Sequence, residues 1–212
     1  MGPRRAKVLS EGDTSPGALR RHLILVTQHL LAAHGLTGLT TRQIAREAQV
    51  ADGVLYNHFA DKDDLVFTAL GERATELVGA FHASIPEPGA ATLEENVTKI
   101  AQAALELYAG TVPLISGLFG QERLLHGFFA DVHGVQGMQT VFAAVVEYVR
   151  DERALRRASD DVDPVAIAEL LFGACQLRAL VALMGPAEGR VKAADLDAIV
   201  SALLRALQPA TS

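Results

Sequence analysis

The chain has one cysteine, no tryptophan and an aromatic content of 5% over 212 residues. A single cysteine, Cys175, excludes an intramolecular disulfide framework and fits a reducing compartment. It stands in LLFGACQL, where a small apolar thiol is read as a buried packing group rather than a redox sensor. Runs of β-branched residues are scarce and Ala and Leu abound, which favours helices over strands. Long hydrophobic runs are also missing. No stretch reaches the roughly 18–20 apolar residues that span a bilayer. The longest uncharged stretches, near 107–121 and 132–146, are broken by Gly, Gln, His or Pro. No secretory signal is read, because Arg4, Arg5 and Lys7 lead into SEGDTSPG rather than an apolar core. The expectation is a soluble cytoplasmic protein without a membrane partner. The sequence has no HExxH, Walker loop, nucleophile elbow or paired metal-ligand motif. His126 and His133, with Asp131 between them, lack the further ligands that would make a metal site. Neither enzyme activity nor a cofactor is expected.

What is present is a chain half apolar, enough for a sizeable core, with a net charge of −6. That charge is unevenly placed. Residues 1–62 carry 8 Lys/Arg against 5 Asp/Glu, and residues 63–212 carry 11 against 20. A mildly basic head on an acidic body suits local contact with phosphates without general nucleic-acid affinity.

Residues 36–67, LTGLTTRQIAREAQVADGVLYNHFADKDDLVF, are the most informative stretch. Thr40 or Thr41 caps a helix whose apolar face is Ile44, Ala45 and Ala48. Gln49-Val50-Ala51 break that pattern, and Asp52 is placed as the cap of a second helix through Phe59. In it Leu55 and Phe59, four apart, face inward with Val50 and Ile44. Asp61 caps a third helix, with acidic residues in its first turn complementing the helix dipole. Two short helices joined by a three-to-four residue turn make a helix-turn-helix.

Thr40-Thr41, Ile44-Ala45, Ala48-Gln49-Val50, Gly53, Leu55-Tyr56, His58-Phe59, Lys62 and Leu65 keep the spacings of a known pattern. The stretch resembles the amino-terminal domain of TetR-family transcriptional regulators, over roughly residues 20–70. Two positions depart from the family. Gln49 replaces the usual Gly in a turn that can need positive φ, at a cost on the order of 1 kcal/mol. Asp52 replaces the usual Lys or Arg at the start of the recognition helix. It serves there as an N-cap, or accepts from a cytosine amine.

By motif position, Thr41 and Arg42 suit phosphate at the start of the first motif helix. The resemblance implies backbone-phosphate contacts for Tyr56 and Lys62. Gly53 lets the recognition helix approach DNA closely, Val54 meets a thymine methyl, and Asn57 bonds adenine. His58 either contacts phosphate or caps the helix. The DNA-binding set is thus Thr41, Arg42, Asp52, Gly53, Val54, Tyr56, Asn57, His58 and Lys62.

The fold expected is all-α, in three parts: a polar arm over 1–15, a three-helix DNA-binding domain over 16–68, and a larger helical domain over 69–212. Helix 1 is placed from Pro16 or Gly17 to His34, and the Asp61 helix to about Ser84. Thr92 and Glu95 read as a capping box, and Pro113 is expected to kink or end that helix near Gly110. Further helices are placed at about 135–158, 163–184 and 195–207. The resemblance implies a small-molecule pocket in the larger domain and a homodimer formed by the final two helices. Tyr108, Phe119, His126, Phe129, Met138, Phe142 and Cys175 are the candidate linings, for an apolar or aromatic ligand. The function implied is a ligand-responsive repressor that binds a palindromic operator in double-stranded DNA. The alternative is a small-molecule-binding helical protein with a vestigial DNA-binding head.

Overall fold

Side-chain caps set where the helices begin. The computed structural model describes residues 16–36, 38–120, 122–130, 132–185 and 195–208. Arg4, Arg5 and Lys7 lie outside them. The elements are α1 (Pro16–His34), α2 (Thr41–Glu47), a 3-10 helix (Asp52–Asn57), α3 (Lys62–Ser84), α4 (Leu93–Ser116), α5 (Glu122–Ala130), α6 (Val132–Ala154), α7 (Pro164–Leu183) and α8 (Leu196–Leu207). The described residues contain no strand. The protein is all-α.

Four starts share one device, an oxygen accepting from an orphan amide one turn on. Thr40 accepts from Gln43 N at 3.2 Å, Asp61 from Asp64 N at 2.8 Å, Asp163 from Val165 N at 2.9 Å and Asp195 from Ala198 N at 2.8 Å. At α4 the capping box is reciprocal: Glu95 N donates to Thr92 Oγ1 at 3.1 Å and Thr92 N to Glu95 Oε2 at 3.0 Å. The Thr92 amide, then its hydroxyl, hold the Glu95 carboxyl below the usual carboxylate range.

The ends of α4 and α6 differ from those expected. Helix α4 does not end near Gly110 but runs through Pro113 to Ser116. A proline there forfeits one backbone bond, and side chains add bonds on either side of it. Thr111 Oγ1 donates to the Leu107 carbonyl at 2.9 Å and Ser116 Oγ to the Pro113 carbonyl at 2.9 Å. Helix α6 stops at Ala154 rather than about 158, because Arg156 takes a left-handed φ of 56°.

The chain divides into two compact units. The first comprises the described residues of 1–74 and 113–134, around Leu23, Ile24, Leu31, Ile44, Leu55, Phe59, Leu65, Leu118 and Leu124. Sequence reasoning placed 113–134 with the carboxy-terminal helices. Gly127 in that stretch permits close packing: a Cβ there would stand 2.3 Å from the Phe67 ring. The second unit comprises the described residues of 75–112 and 135–212, around Phe81, Ile100, Leu107, Val145, Leu171, Phe172, Cys175 and Leu203.

A fully buried carboxylate organises one end of the second unit. Glu152 accepts from Tyr148 Oη at 2.6 Å and Gly89 N at 3.1 Å, and Arg157 Nε stands 3.1 Å from it. Arg157 also donates to the Ala91 carbonyl, so the proline-containing loop after α3 is tied to the end of α6. A buried charge is tolerable only when partnered in this way. Burial, and then the bond to Glu152, raise the Tyr148 pKa.

Helix α7 departs from the expectation that no segment is long and apolar enough for a bilayer. It is 20 residues long with a mean hydropathy of 1.7, and 33% of that window is buried. Glu169, Gln176 and Arg178 interrupt it in sequence, which hid it from a search for unbroken runs.

The turn after α2 generates the first prediction. Gln49 has φ 56°, a conformation that costs a non-Gly residue about 1 kcal/mol. Gln49→Gly raises unfolding stability by less than that, because glycine also loosens the unfolded chain. Gln49→Val, with a branched Cβ, lowers it. Urea unfolding of both variants checks the order, and a destabilised Gln49→Gly contradicts it.

Candidate nucleic-acid interface

Helix α2 ends in a Schellman motif built on a glutamine. Val50 N donates to the Ala45 carbonyl at 2.9 Å and Gln49 N to the Arg46 carbonyl at 3.2 Å, with Gln49 left-handed between them. This satisfies orphan carbonyls and reverses the chain toward the 3-10 helix. That element is shorter and tighter than the α-helix through Phe59 that the sequence suggests. It ends at Asn57, with Val54 N bonded to the Ala51 carbonyl at 2.9 Å and His58 N to the Leu55 carbonyl at 3.0 Å. Leu55 and Phe59 still turn inward, at 2% and 4% exposure.

Polar ties hold the frame. His22 Nε2 lies 3.2 Å from the Ala48 carbonyl, Gln28 Nε2 donates to the Ala69 carbonyl at 3.0 Å, and Lys62 Nζ to the Leu39 carbonyl at 3.2 Å. The Arg20 guanidinium stands 4.9 Å from the Phe59 ring centroid and 3.7 Å from Glu72. Sequence reasoning missed the roles of His22, Gln28 and Arg20, since nothing in one helix's periodicity reports its partner's carbonyls.

The predicted DNA-binding residues divide into two groups. Arg42, Asp52, Gly53, Tyr56 and Asn57 are exposed, Tyr56 at 59%. Thr41, Val54, His58 and Lys62 are half-buried. Of the two threonines, Thr40 is the cap and Thr41 the first helical residue. His58 closes the 3-10 helix through its backbone N–H.

Asp52 requires a correction. The N-cap is Ala51, without a side-chain bond, and Asp52 lies inside the first turn. Its carboxylate faces the Arg42 guanidinium instead, Oδ2 to Nε 3.7 Å. A carboxylate offers Arg a charged partner, whereas the 3-10 start at Ala51 proceeds without a capping side chain. Gly53 is informative in another way. A Cβ built there meets nothing within 4 Å, and its φ lies outside the left-handed region. The fold itself therefore has no use for a glycine at 53.

The candidate ligand residues separate. Tyr108, Met138, Phe142 and Cys175 belong to the core of the second unit or pack against it. Phe172, which the sequence reading overlooked, is its aromatic hub: Tyr108, Phe142 and Phe81 have ring centroids 6.0, 5.9 and 6.0 Å from it. Helix α7 is apolar on several faces, so its periodicity does not single Phe172 out. Burial, and then the nearby Cys175, raise the Tyr108 pKa. Cys175 is fully buried, 3.8 Å from the Ala101 carbonyl, and burial pushes its thiol up to about 11. That keeps it a thiol rather than a reactive thiolate. Phe119, His126 and Phe129 fall in the first unit. Phe119 is 72% exposed and His126 is exposed, and the side chain of Phe129 lies outside the described residues. A cavity of about 20 Å³ lies elsewhere in the second unit, lined by Val97, Ile100, Tyr148, Leu171 and Leu203 among others. It has room for about one water. His126 joins no cluster of metal-ligating groups among the described residues.

Helix α7 carries two apolar faces. Ile167, Ala168, Leu171, Phe172, Cys175 and Ala179 are buried within the unit. Leu170, Leu177, Leu180 and Leu183 are 60%, 50%, 45% and 45% exposed. On α8, Ile199, Val200, Leu203 and Leu207 are buried. The structure thereby separates core from outward residues, which the sequence list alone did not.

Residues 23–69 match the sequence model of bacterial regulatory proteins of the tetR family. The transcriptional regulator HbdR of Aromatoleum sp. (strain CIB) is 44% identical over 52 residues, spanning 24% of this chain and 23% of that protein. Solved structures extend the likeness of fold to nearly the whole chain. A TetR-family regulator of Mesorhizobium loti superposes with a TM-score of 0.69 at 19% identity, over 91% of this chain and 98% of that one. A transcriptional regulator of Saccharomonospora viridis in complex with choline has a TM-score of 0.68 at 14% identity, over 89% and 95%. FadR of Bacillus subtilis in complex with stearoyl-CoA has a TM-score of 0.58 at 17% identity, over 87% and 95%.

The open space at Gly53 separates folding from recognition. Gly53→Ala leaves unfolding stability unchanged or raises it by up to about 1 kcal/mol. It weakens duplex binding on the order of tenfold, the cost of one disturbed base contact. Melting and DNA titration of the same preparation check both halves. Full DNA affinity in the variant contradicts close approach at 53.

Proposed function

We propose that this chain, which belongs to the TetR family of bacterial regulators through its amino-terminal domain, is a ligand-responsive repressor that binds a palindromic operator as a homodimer in the cytoplasm. The observation that carries DNA binding is the division of the reading head. Leu55 and Phe59 are buried, while Arg42, Gly53, Tyr56 and Asn57 stand exposed. The roles follow the chemistry of each group. Arg42, Thr41, Tyr56, His58 and Lys62 serve phosphates, and Asn57 and Val54 serve base edges. Lys62 leans on the Leu39 carbonyl, which orients its ammonium without neutralising it.

The outward leucines of α7 support the homodimer. Four large apolar side chains on one exposed helix face are a surface a second helix covers. Gly173 stands among them with nothing within 4 Å of a built Cβ. A glycine inside a helix costs about 1 kcal/mol against alanine, and close approach by a partner helix gives it a use. Two copies then present two reading heads to half-sites about one DNA turn apart. Ligand binding in the carboxy-terminal unit favours a state whose heads no longer match that spacing. The ligand is a small apolar or aromatic molecule taken up near the Phe172 cluster. The alternative, a ligand-binding protein with a vestigial head, draws on the Arg42–Asp52 pair, which neutralises a cation where phosphate would bind.

Selection of bound sequences from random duplex DNA tests the choice. A palindromic consensus with half-sites about one turn apart is the expected result. No enrichment over the starting pool sinks the repressor reading and favours the alternative. Leu177→Glu with Leu180→Glu keeps the helical circular dichroism but turns the dimer into a monomer in sedimentation, and operator affinity falls with it. A variant that remains dimeric removes α7 from the interface.

A further inference from the structure

We propose that Asp52 is a positioning residue that acts through Arg42: its carboxylate competes with DNA phosphate for that guanidinium and so lowers sequence-independent binding. The proposal rests on the DNA-binding reading above and adds to it a limit on sequence-independent binding.

Three observations converge. Asp52 is not a cap, because the 3-10 helix begins at Ala51 without a side-chain bond. The fold therefore makes no use of a carboxylate there beyond a modest dipole preference in a six-residue helix. Arg42, for its part, occupies the first turn of α2, where the dipole disfavours a cation. Neither residue is placed for the sake of its own helix. They meet across the turn, Arg42 Nε to Asp52 Oδ2 3.7 Å, with side-chain exposures of 88% and 67%.

The contact is to Nε, and the Arg42 side chain remains 88% exposed, accessible to a second anion. Such an exposed pair is weak. A weak competitor is enough to lower phosphate binding without abolishing it. Phosphates are present at every DNA site, so a carboxylate that must yield Arg42 lowers binding to all sequences alike. At a cognate site, base contacts from the exposed Asn57 and the neighbouring Val54 repay the loss. Asp52 thus lowers the affinity for every site by a common factor, so that only sites offering base contacts remain tightly bound.

A double-mutant cycle reads this directly, using the full chain, a random-sequence duplex of about three helical turns, and titrated KCl. Asp52→Asn raises affinity for the random duplex about fivefold when Arg42 is present. It also steepens the salt slope by about one ion. In the Arg42→Gln background, Asp52→Asn changes affinity less than about twofold and leaves the slope alone. Equal gains in both backgrounds overturn the proposal, because Asp52 then repels phosphate by itself. Unchanged affinity with Arg42 present overturns it too. Thermal melting within a degree or two across the four proteins sets aside a merely structural effect. If none of the four binds duplex DNA at any salt, the DNA-binding reading beneath the proposal fails with it, an outcome distinct from equal gains.

Discussion

A helix must stop before the chain can turn, and in both units the decisive stop is made by a residue that is not glycine. Gln49 and Arg156 each have φ 56°. Each sits at the same point of the same motif. Val50 N bonds the Ala45 carbonyl as Arg157 N bonds that of Glu152, and Gln49 N bonds Arg46 as Arg156 N bonds Arg153. Glycine is the usual occupant because it has no Cβ to resist the left-handed region. Here the two backbone bonds of each motif and the packing on either side outweigh a strain on the order of 1 kcal/mol. What each stop delivers differs. After Gln49 comes the segment whose exposed face carries Asp52, Gly53, Tyr56 and Asn57. After Arg156 comes Arg157, brought to the buried Glu152 carboxylate.

In the reading head, the groups that make the fold and the groups left outward are different groups. Ile44, Ala45, Ala48, Leu55 and Phe59 are buried, and the polar ties come from His22, Gln28 and Lys62 to backbone carbonyls. Arg42, Tyr56 and Asn57 take no part in that core. A surface composed this way can change its recognition without losing its scaffold, since exposed substitutions away from caps cost little stability. Lys62 stands between the two classes, half-buried and bonded through its ammonium to the Leu39 carbonyl.

Caps were the most legible feature of the sequence. Asp61, Thr92 with Glu95, Asp163 and Asp195 begin helices where their residue types said they would. A cap is a local event, complete within four residues. The errors lie where a distant partner decides. Asp52 has a capping side chain, yet the chain enters the 3-10 helix one residue earlier and leaves the acid to Arg42, ten positions upstream. Pro113 has the strongest local signal against a helix, yet α4 continues through it. Arg156 has no signal at all, because arginine rarely marks a left-handed stop. The Tyr148–Glu152–Arg157 cluster was equally hidden. A buried glutamate is legible only once the loop at Gly89 and Ala91 is seen to supply its other partners.

Helix α7 shows why hydropathy alone misleads in both directions. Its mean value of 1.7 over 20 residues satisfies the length and composition of a membrane span. Inside the unit, Ile167, Leu171, Phe172 and Cys175 account for one face. The remaining apolar residues, Leu170, Leu177, Leu180 and Leu183, recur at intervals of seven, three and three and share a second face. A lipid-facing helix would be apolar all round, whereas Glu169, Gln176 and Arg178 interrupt this one. At about 100° per residue Glu169 and Gln176 fall within the arc of those exposed leucines, so the second face mixes apolar and polar groups as a protein-covered surface does. One side of the helix packs within its own unit, and the other stands exposed. Under the proposed dimer, that exposed face would couple recognition to assembly, because two heads held at fixed spacing multiply the discrimination of one short head.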